Sequence, residues 1–128
     1  MTIETDPFDG LALTPIAHAD AGRGAALSAE IGWNQTEADW RYMLENGSGY
    51  GRCDHDGRLV ASAIALPYGT FGWVCMVLVS EPYRRRGLAT DLMNRVIAEL
   101  ERDGIVPGLD ATPAGREVYK LSLIHISE

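Results

Sequence analysis

Cations are scarce in this 128-residue chain: 11 lysines and arginines stand against 18 aspartates and glutamates, a formal net charge of −7. A surface of that sign repels polyanions, which argues against nucleic acid or an anionic membrane as the partner of the whole chain. Any anion must be met locally. Cysteine is scarcer still. Cys53 and Cys75 are far apart and show neither CxxC nor Cys/His ligand spacing, so neither a metal site nor a disulfide framework is expected, and a reducing cytoplasm is the default compartment.

Long apolar runs are missing too. None reaches the roughly 18 residues of a membrane span, and the start, "MTIETDPFDG", is acidic where a secretory leader is basic and then apolar. Two nucleotide-binding signatures are absent: no Gly-Lys-Ser/Thr follows a glycine-rich loop, and there is no Gly-x-Gly-x-x-Gly. Neither an ATPase nor an NAD enzyme is supported. With no internal repeat and no low-complexity linker, the length fits about one domain.

What is present is an ordinary folding composition, 46% hydrophobic with 14 glycines. "GLALTPIA" (10–17) has strand character, and Asp20 can cap an alanine-rich helix running towards Ile31 despite Gly22 and Gly24. Thr36 and Asp39 have capping-box spacing, which predicts a second helix from Glu37 to Glu45 that stops at Asn46-Gly47. Trp33, Trp40 and Tyr42 make this region aromatic, as core packing or as one wall of a substrate site. From Tyr50 the chain reads as hairpins: "YGRC", the turn "DHDG", "RLVASAIAL", and the loop "PYGTFG". "WVCMVLV" (73–79) is nearly all apolar, as a central strand covered on both faces must be. Leu88, Leu92, Met93, Val96 and Leu100 then recur at helical spacing up to Gly104. "IVPGLDA" predicts a further strand, and Thr112-Pro113 opens a last helix, "AGREVYK".

Between that central strand and the long helix lies "YRRRGLAT" (83–90). Buried strand, loop of arginine and glycine, then helix is a device for holding phosphate. Helix N-termini offer unpaired N–H groups and partial positive charge, and glycine admits close approach. Three arginines at that end oppose the helix dipole, so the run calls for an anion.

Arg84-x-x-Gly87-x-Ala89 resembles the Gln/Arg-x-x-Gly-x-Gly/Ala acyl-CoA signature of the GCN5-related N-acetyltransferase (GNAT) superfamily. Its context, "MVLVSEPYRRRGLA", resembles that family's fourth strand and pyrophosphate loop, and "LDATPAGREVY" its fifth strand and fourth helix. The resemblance implies an α/β (α+β) fold with a mixed, mostly antiparallel sheet flanked by helices, and an enzyme that transfers an acetyl group from acetyl-CoA to an amine without a metal. It further implies that backbone amides of Arg85, Arg86, Gly87, Leu88 and Ala89 cradle the CoA pyrophosphate. Arg84 and its neighbours would add charge, Thr90 a hydroxyl, and the backbone of Val77, Leu78 and Val79 would pair with the pantetheine arm.

Direct attack of an amine on a thioester wants a base for the amine and an acid for the departing thiolate. Tyr119 matches the family's tyrosine acid, and a phenol donates while staying neutral at physiological pH. For the base, Glu81 and Asp110 are the best-placed carboxylates, with water as the alternative. His55, in a turn, has a weaker claim, and His18 and His125 none better. The resemblance leaves a homodimer open.

The chain departs from the family after the tyrosine, where "YKLSLIHISE" replaces a basic step and Gly-Phe leading into two more strands. The expectation is a GNAT domain over 1–120 lacking its last strands. The tail, 121–128, is read as foreign adapter-derived sequence, against the alternative of a genuine terminal strand from Leu121, Leu123 and Ile126. Because those strands close the acceptor side, a catalytically inactive acyl-CoA-binding or regulatory module is the alternative function.

Overall fold

The computed structural model describes Phe8 and residues 10–109. Asp110, the last predicted helix with Tyr119, and the 121–128 tail lie outside the described residues. In chain order the elements are β1 (Ala12–Ile16), α1 (Ala21–Ile31), α2 (Glu37–Asn46), β2 (Ser48–Cys53), β3 (Leu59–Tyr68), β4 (Phe71–Val79), α3 (Leu88–Arg102) and β5 (Val106–Leu109). The strands form one sheet in the order β1-β2-β3-β4-β5. The first three pairings are antiparallel, and β5 joins β4 in parallel through the α3 crossover. This is the α/β arrangement that the sequence implied.

Helices cover both faces. On one, Leu88, Leu92, Met93, Val96, Ile97 and Leu100 of α3 pack on Val60, Ala61, Ala63, Ala65 and Val74. The alanines of β3 keep that face low, so a helix carrying larger side chains can seat close to the strand. On the other face α1 and α2 bring Leu27, Trp40 and Leu44 onto Ile64, Leu66, Met76 and Leu78. A central sheet buried on both sides explains why β3 and β4 read as continuous apolar runs rather than alternating ones.

Two glycines and a serine set how α1 meets α2. A Cβ on Gly24 would stand 2.3 Å from the Trp40 ring, so the bare backbone makes room for the indole. The indole Nε1 donates to Ser28 Oγ at 2.7 Å, satisfying both polar groups in the core. Gly32, in the left-handed region at φ 86°, ends α1. For α2 the capping box forms as its spacing predicts: Asp39 N donates to Thr36 Oγ1 at 3.2 Å, and Thr36 N to Asp39 Oδ2 at 2.8 Å. Of the aromatic residues, Trp40 is wholly buried whereas Tyr42 is 60% exposed.

Two local expectations change. Asp20 precedes α1 without capping it; its carboxylate accepts from Ala17 N at 2.8 Å and pairs with Arg23, so it closes the short turn before the helix. Partial burial opposes the charge on Asp20, but those partners outweigh it and hold the carboxyl below its ordinary value. The "PYGTFG" loop contracts to a two-residue turn at Gly69-Thr70, because Tyr68 pairs with Phe71. Gly69, at φ 62°, supplies the positive φ that such a hairpin demands. Cys53 and Cys75 are not joined to each other in a disulfide. Burial raises the Cys53 thiol above its ordinary value, which keeps it protonated and unreactive.

Candidate functional site

The central strand is not regular. Ile64 of β3 pairs with Cys75 and Ser62 with Leu78, so Met76 and Val77 together oppose Ala63. That is a β-bulge, and Met76 accommodates it with φ 49°. The bulge inverts the strand's alternation: Cys75 and Met76 both turn towards α1 and α2, after which Val77 and Val79 face α3. Ser62 Oγ donates to Met76 O at 2.7 Å, fixing the kink from the neighbouring strand.

Among the described residues, which end at Leu109, β5 follows β4 from Phe71 to Val74. Among the described residues, the stretch Val77-Leu78-Val79 therefore has β3 on one side and no strand on the other. A strand edge left open within a covered sheet is a set of backbone donors and acceptors aimed at something extended.

Beyond Val79 the chain enters the arginine loop. Ser80 is buried; its N–H donates to Val60 O at 2.7 Å and its hydroxyl to Glu30 Oε2 at 2.5 Å, and Glu30 also pairs with Arg58. This ties the end of β4 to α1. Glu81 opens a single 3-10 turn, Glu81–Tyr83, with its side chain exposed at the rim of the strand end. Arg84 N donates to Glu81 O at 3.2 Å, and the Arg84 side chain turns back so that Nε donates to Val79 O at 3.1 Å. The Arg86 guanidinium lies 5.4 Å from the centre of the Tyr83 ring, a cation–π contact.

Two residues of the loop are left-handed: Arg85 at φ 65° and Gly87 at φ 83°. A non-glycine residue there costs roughly 1–3 kcal/mol, and successive amides in such alternating conformations form concave anion sites. No hydrogen bond among the described residues satisfies the N–H groups of Arg85 through Thr90; the first amide of the region to find a partner is Asp91 N, which donates to Gly87 O at 3.0 Å. Around Gly87 nothing lies within 4 Å of where a Cβ would stand. Leu88, by contrast, is buried under the loop and anchors α3 to the core, while Ala89 and Thr90 are half-buried beside it.

The structure thus brings together Val77, Leu78, Val79, Glu81 and Arg84 through Thr90 at one end of β4. His55 stays apart, exposed in the turn after β2. Among the described residues no cluster of His, Cys, Asp or Glu is arranged to hold a metal. Two features escaped the sequence reading. The bulge leaves no sequence signal, since methionine in an apolar run reads as regular strand. Arg52 had one, a charge within "YGRC": it is 2% exposed, on the α3 face, and reaches the first turn of α3.

A bulged central strand that runs into an amide-lined helix start belongs to a recurring α/β class. A structure from Pyrococcus horikoshii, provisionally named an acetyltransferase, shares this fold with a TM-score of 0.74 at 18% identity, covering 94% of this chain and 45% of that one. The ribosomal-protein-S18-alanine N-acetyltransferase of Escherichia coli gives 0.72 at 18% identity, with coverage of 86% and 74%. A GNAT-family structure from Novosphingobium aromaticivorans, also provisionally named an acetyltransferase, reaches 28% identity with a TM-score of 0.67, covering 89% of this chain and 50% of that one. The chain spans about half the length of the Pyrococcus and Novosphingobium proteins. No curated protein sequence matches it at a significant level. The sequence pattern of the acetyltransferase (GNAT) family matches residues 20–122, and the chain belongs to that family.

Proposed function

We propose that the chain binds acetyl-CoA at the open end of β4 and transfers its acetyl group to an amine. The observation that carries this reading is the pairing of two features among the described residues: a stretch of β4 after the bulge with a strand on one side only, and a run of amides from Arg85 to Thr90 without a hydrogen-bond partner. Pantetheine has two amides that need partners once buried, and a strand edge offers them. A pyrophosphate needs several N–H donors and positive charge, which the loop amides, the helix dipole and the exposed arginines provide.

In the proposed arrangement the backbone of Val77, Leu78 and Val79 lies along the pantetheine, and the amides of Arg85, Arg86, Gly87, Leu88 and Ala89 surround the pyrophosphate. Thr90 adds its hydroxyl. Because Arg84 Nε is held by Val79 O, Arg84 acts through its remaining guanidinium donors, and Arg85 and Arg86 carry more of the neutralisation. The amine gives up its proton to Glu81, directly or through water, attacks the thioester carbonyl, and expels CoA. Tyr119 protonates the leaving thiolate. Residues 1–120 form the acetyltransferase unit in this reading and 121–128 are foreign; an independent read of the gene that shows the same tail followed by a stop codon would overturn the second point.

The test is amine-dependent release of CoA, followed with a thiol reagent across a panel of small amines, amino acids and peptide N-termini. Release above the hydrolysis background is expected, insensitive to EDTA. Tyr119→Phe should lower kcat by about a hundredfold while leaving KM for acetyl-CoA nearly unchanged, since general acid catalysis typically contributes that much or more. Tight acetyl-CoA binding with no release for any amine would identify a non-catalytic acyl-CoA-binding module instead.

A further inference from the structure

We propose that Arg52, a buried arginine of β2, is a positioning residue for the pyrophosphate site: it fixes the first turn of α3 and cancels the one negative charge that the turn carries. The inference rests on the acetyl-CoA reading and deepens it.

Arg52 stands opposite Ala61 of β3 and so faces α3. Its Nη1 donates to Leu11 O at 2.9 Å, and its guanidinium lies 4.8 Å from the centre of the Phe8 ring. Its Nη2 meets Asp91 Oδ2 at 3.4 Å. Asp91 is the residue whose N–H closes the first turn of α3 on Gly87 O. The same carboxylate oxygen accepts from Arg95 Nε at 3.2 Å. One carboxylate is therefore held between two guanidinium groups, one buried beneath the helix and one on its surface.

This arrangement needs a reason beyond stability, because burying an ion pair is about neutral against an apolar replacement. The position of Asp91 supplies one. An acidic residue in the first turn complements the helix dipole when the end is empty, but it opposes a second anion bound at the same end. Pairing with Arg52 and Arg95 removes that opposition while keeping the carboxylate as the point by which β2 grips the turn. The loop amides then meet the pyrophosphate with the dipole uncancelled, on a turn anchored to the sheet. Arg52 touches no ligand in this account. It acts through Asp91.

The experiment compares dissociation constants for CoA and for pantetheine, which lacks the pyrophosphate, in the wild type, Arg52→Gln, Arg95→Gln and Arg52→Gln/Asp91→Asn. Arg52→Gln should weaken CoA roughly five- to tenfold and leave pantetheine unchanged, because the Asp91 charge, left with only the exposed Arg95, acts on the phosphate end alone. Adding Asp91→Asn should restore most of the loss, the signature of coupling between two groups in contact. Should Arg52→Gln fail to fold, Arg95→Gln, an exposed replacement, carries the test with an expected loss of about threefold in CoA affinity. Equal losses for CoA and pantetheine, or no loss in any folded variant, would overturn the proposal. A wild type that binds no CoA at all would instead overturn the acetyl-CoA reading beneath it.

Discussion

Replacing Gly87 with glutamate is expected to weaken acetyl-CoA binding by more than about a hundredfold while leaving the fold in place. The cost divides into two parts. Gly87 sits at φ 83°, and a side chain in that region costs roughly 1–2 kcal/mol, which the protein bears whether or not ligand is present. The larger part is felt only on binding. Nothing lies within 4 Å of the added Cβ, so the carboxylate enters the open space over the amides, where a like charge facing the pyrophosphate costs several kcal/mol. Gly87→Ala separates the two, carrying the strain without the charge, and should lose less than about tenfold. Calorimetric titration reads the affinity and circular dichroism the helix content. Unchanged affinity in Gly87→Glu removes the loop from the account.

Trp40→Ala should be the most destabilising single change in the described core, at about 3–5 kcal/mol. Trp40 is wholly buried between α1 and the sheet, and its indole donates to the equally buried Ser28 Oγ. Truncation leaves a cavity the size of an indole under Gly24, whose missing Cβ cannot fill it, and strands the serine hydroxyl without its donor. Against a total stability of about 5–15 kcal/mol for a domain, that loss brings the protein near its unfolding threshold. Tyr42→Ala, two positions away but 60% exposed, should change stability by no more than about 0.5 kcal/mol. Urea denaturation of the two variants measures both, and similar midpoints would contradict the packing described for α1 and α2.

How much of this was legible in the residues differs from element to element. Helix α3 was read well because its buried positions recur with strict helical spacing and Gly104 marks its end, so local pattern and tertiary burial agree. The capping box of α2 was legible for the same reason: both of its hydrogen bonds are made by residues three apart. Asp20 was misread because a capping residue has two neighbouring turns to serve, and only the geometry shows that it serves the earlier one. The hairpin after β3 came out too long because Pro67, Gly69 and Gly72 all look like turn residues. In fact only Gly69 bends the chain; Pro67 pairs with Gly72 beyond the reach of β2, on a stretch where a missing N–H costs little.

The site shows the same division. "YRRRGLAT" announced the loop, since glycine and arginine at a strand-to-helix junction have a chemical purpose that composition alone makes visible. The bulge at Met76 was illegible, because it is a relation between strands and requires no distinctive residue. Arg52 lies between these cases. A charge inside a strand is conspicuous, but its partner Asp91 is 39 residues away in the chain, and nothing local links the two.

The central claim is that one short segment holds the donor, by backbone groups at the open end of β4 and the start of α3. Amide-resolved NMR during titration with acetyl-CoA tests it most directly. The account predicts that the largest shift changes fall on Arg85 through Thr90 and on Val77 through Val79, with those of the helix start reduced when pantetheine replaces acetyl-CoA. Saturable binding whose largest changes lie elsewhere, for example along α2, with the loop amides unmoved, would contradict it.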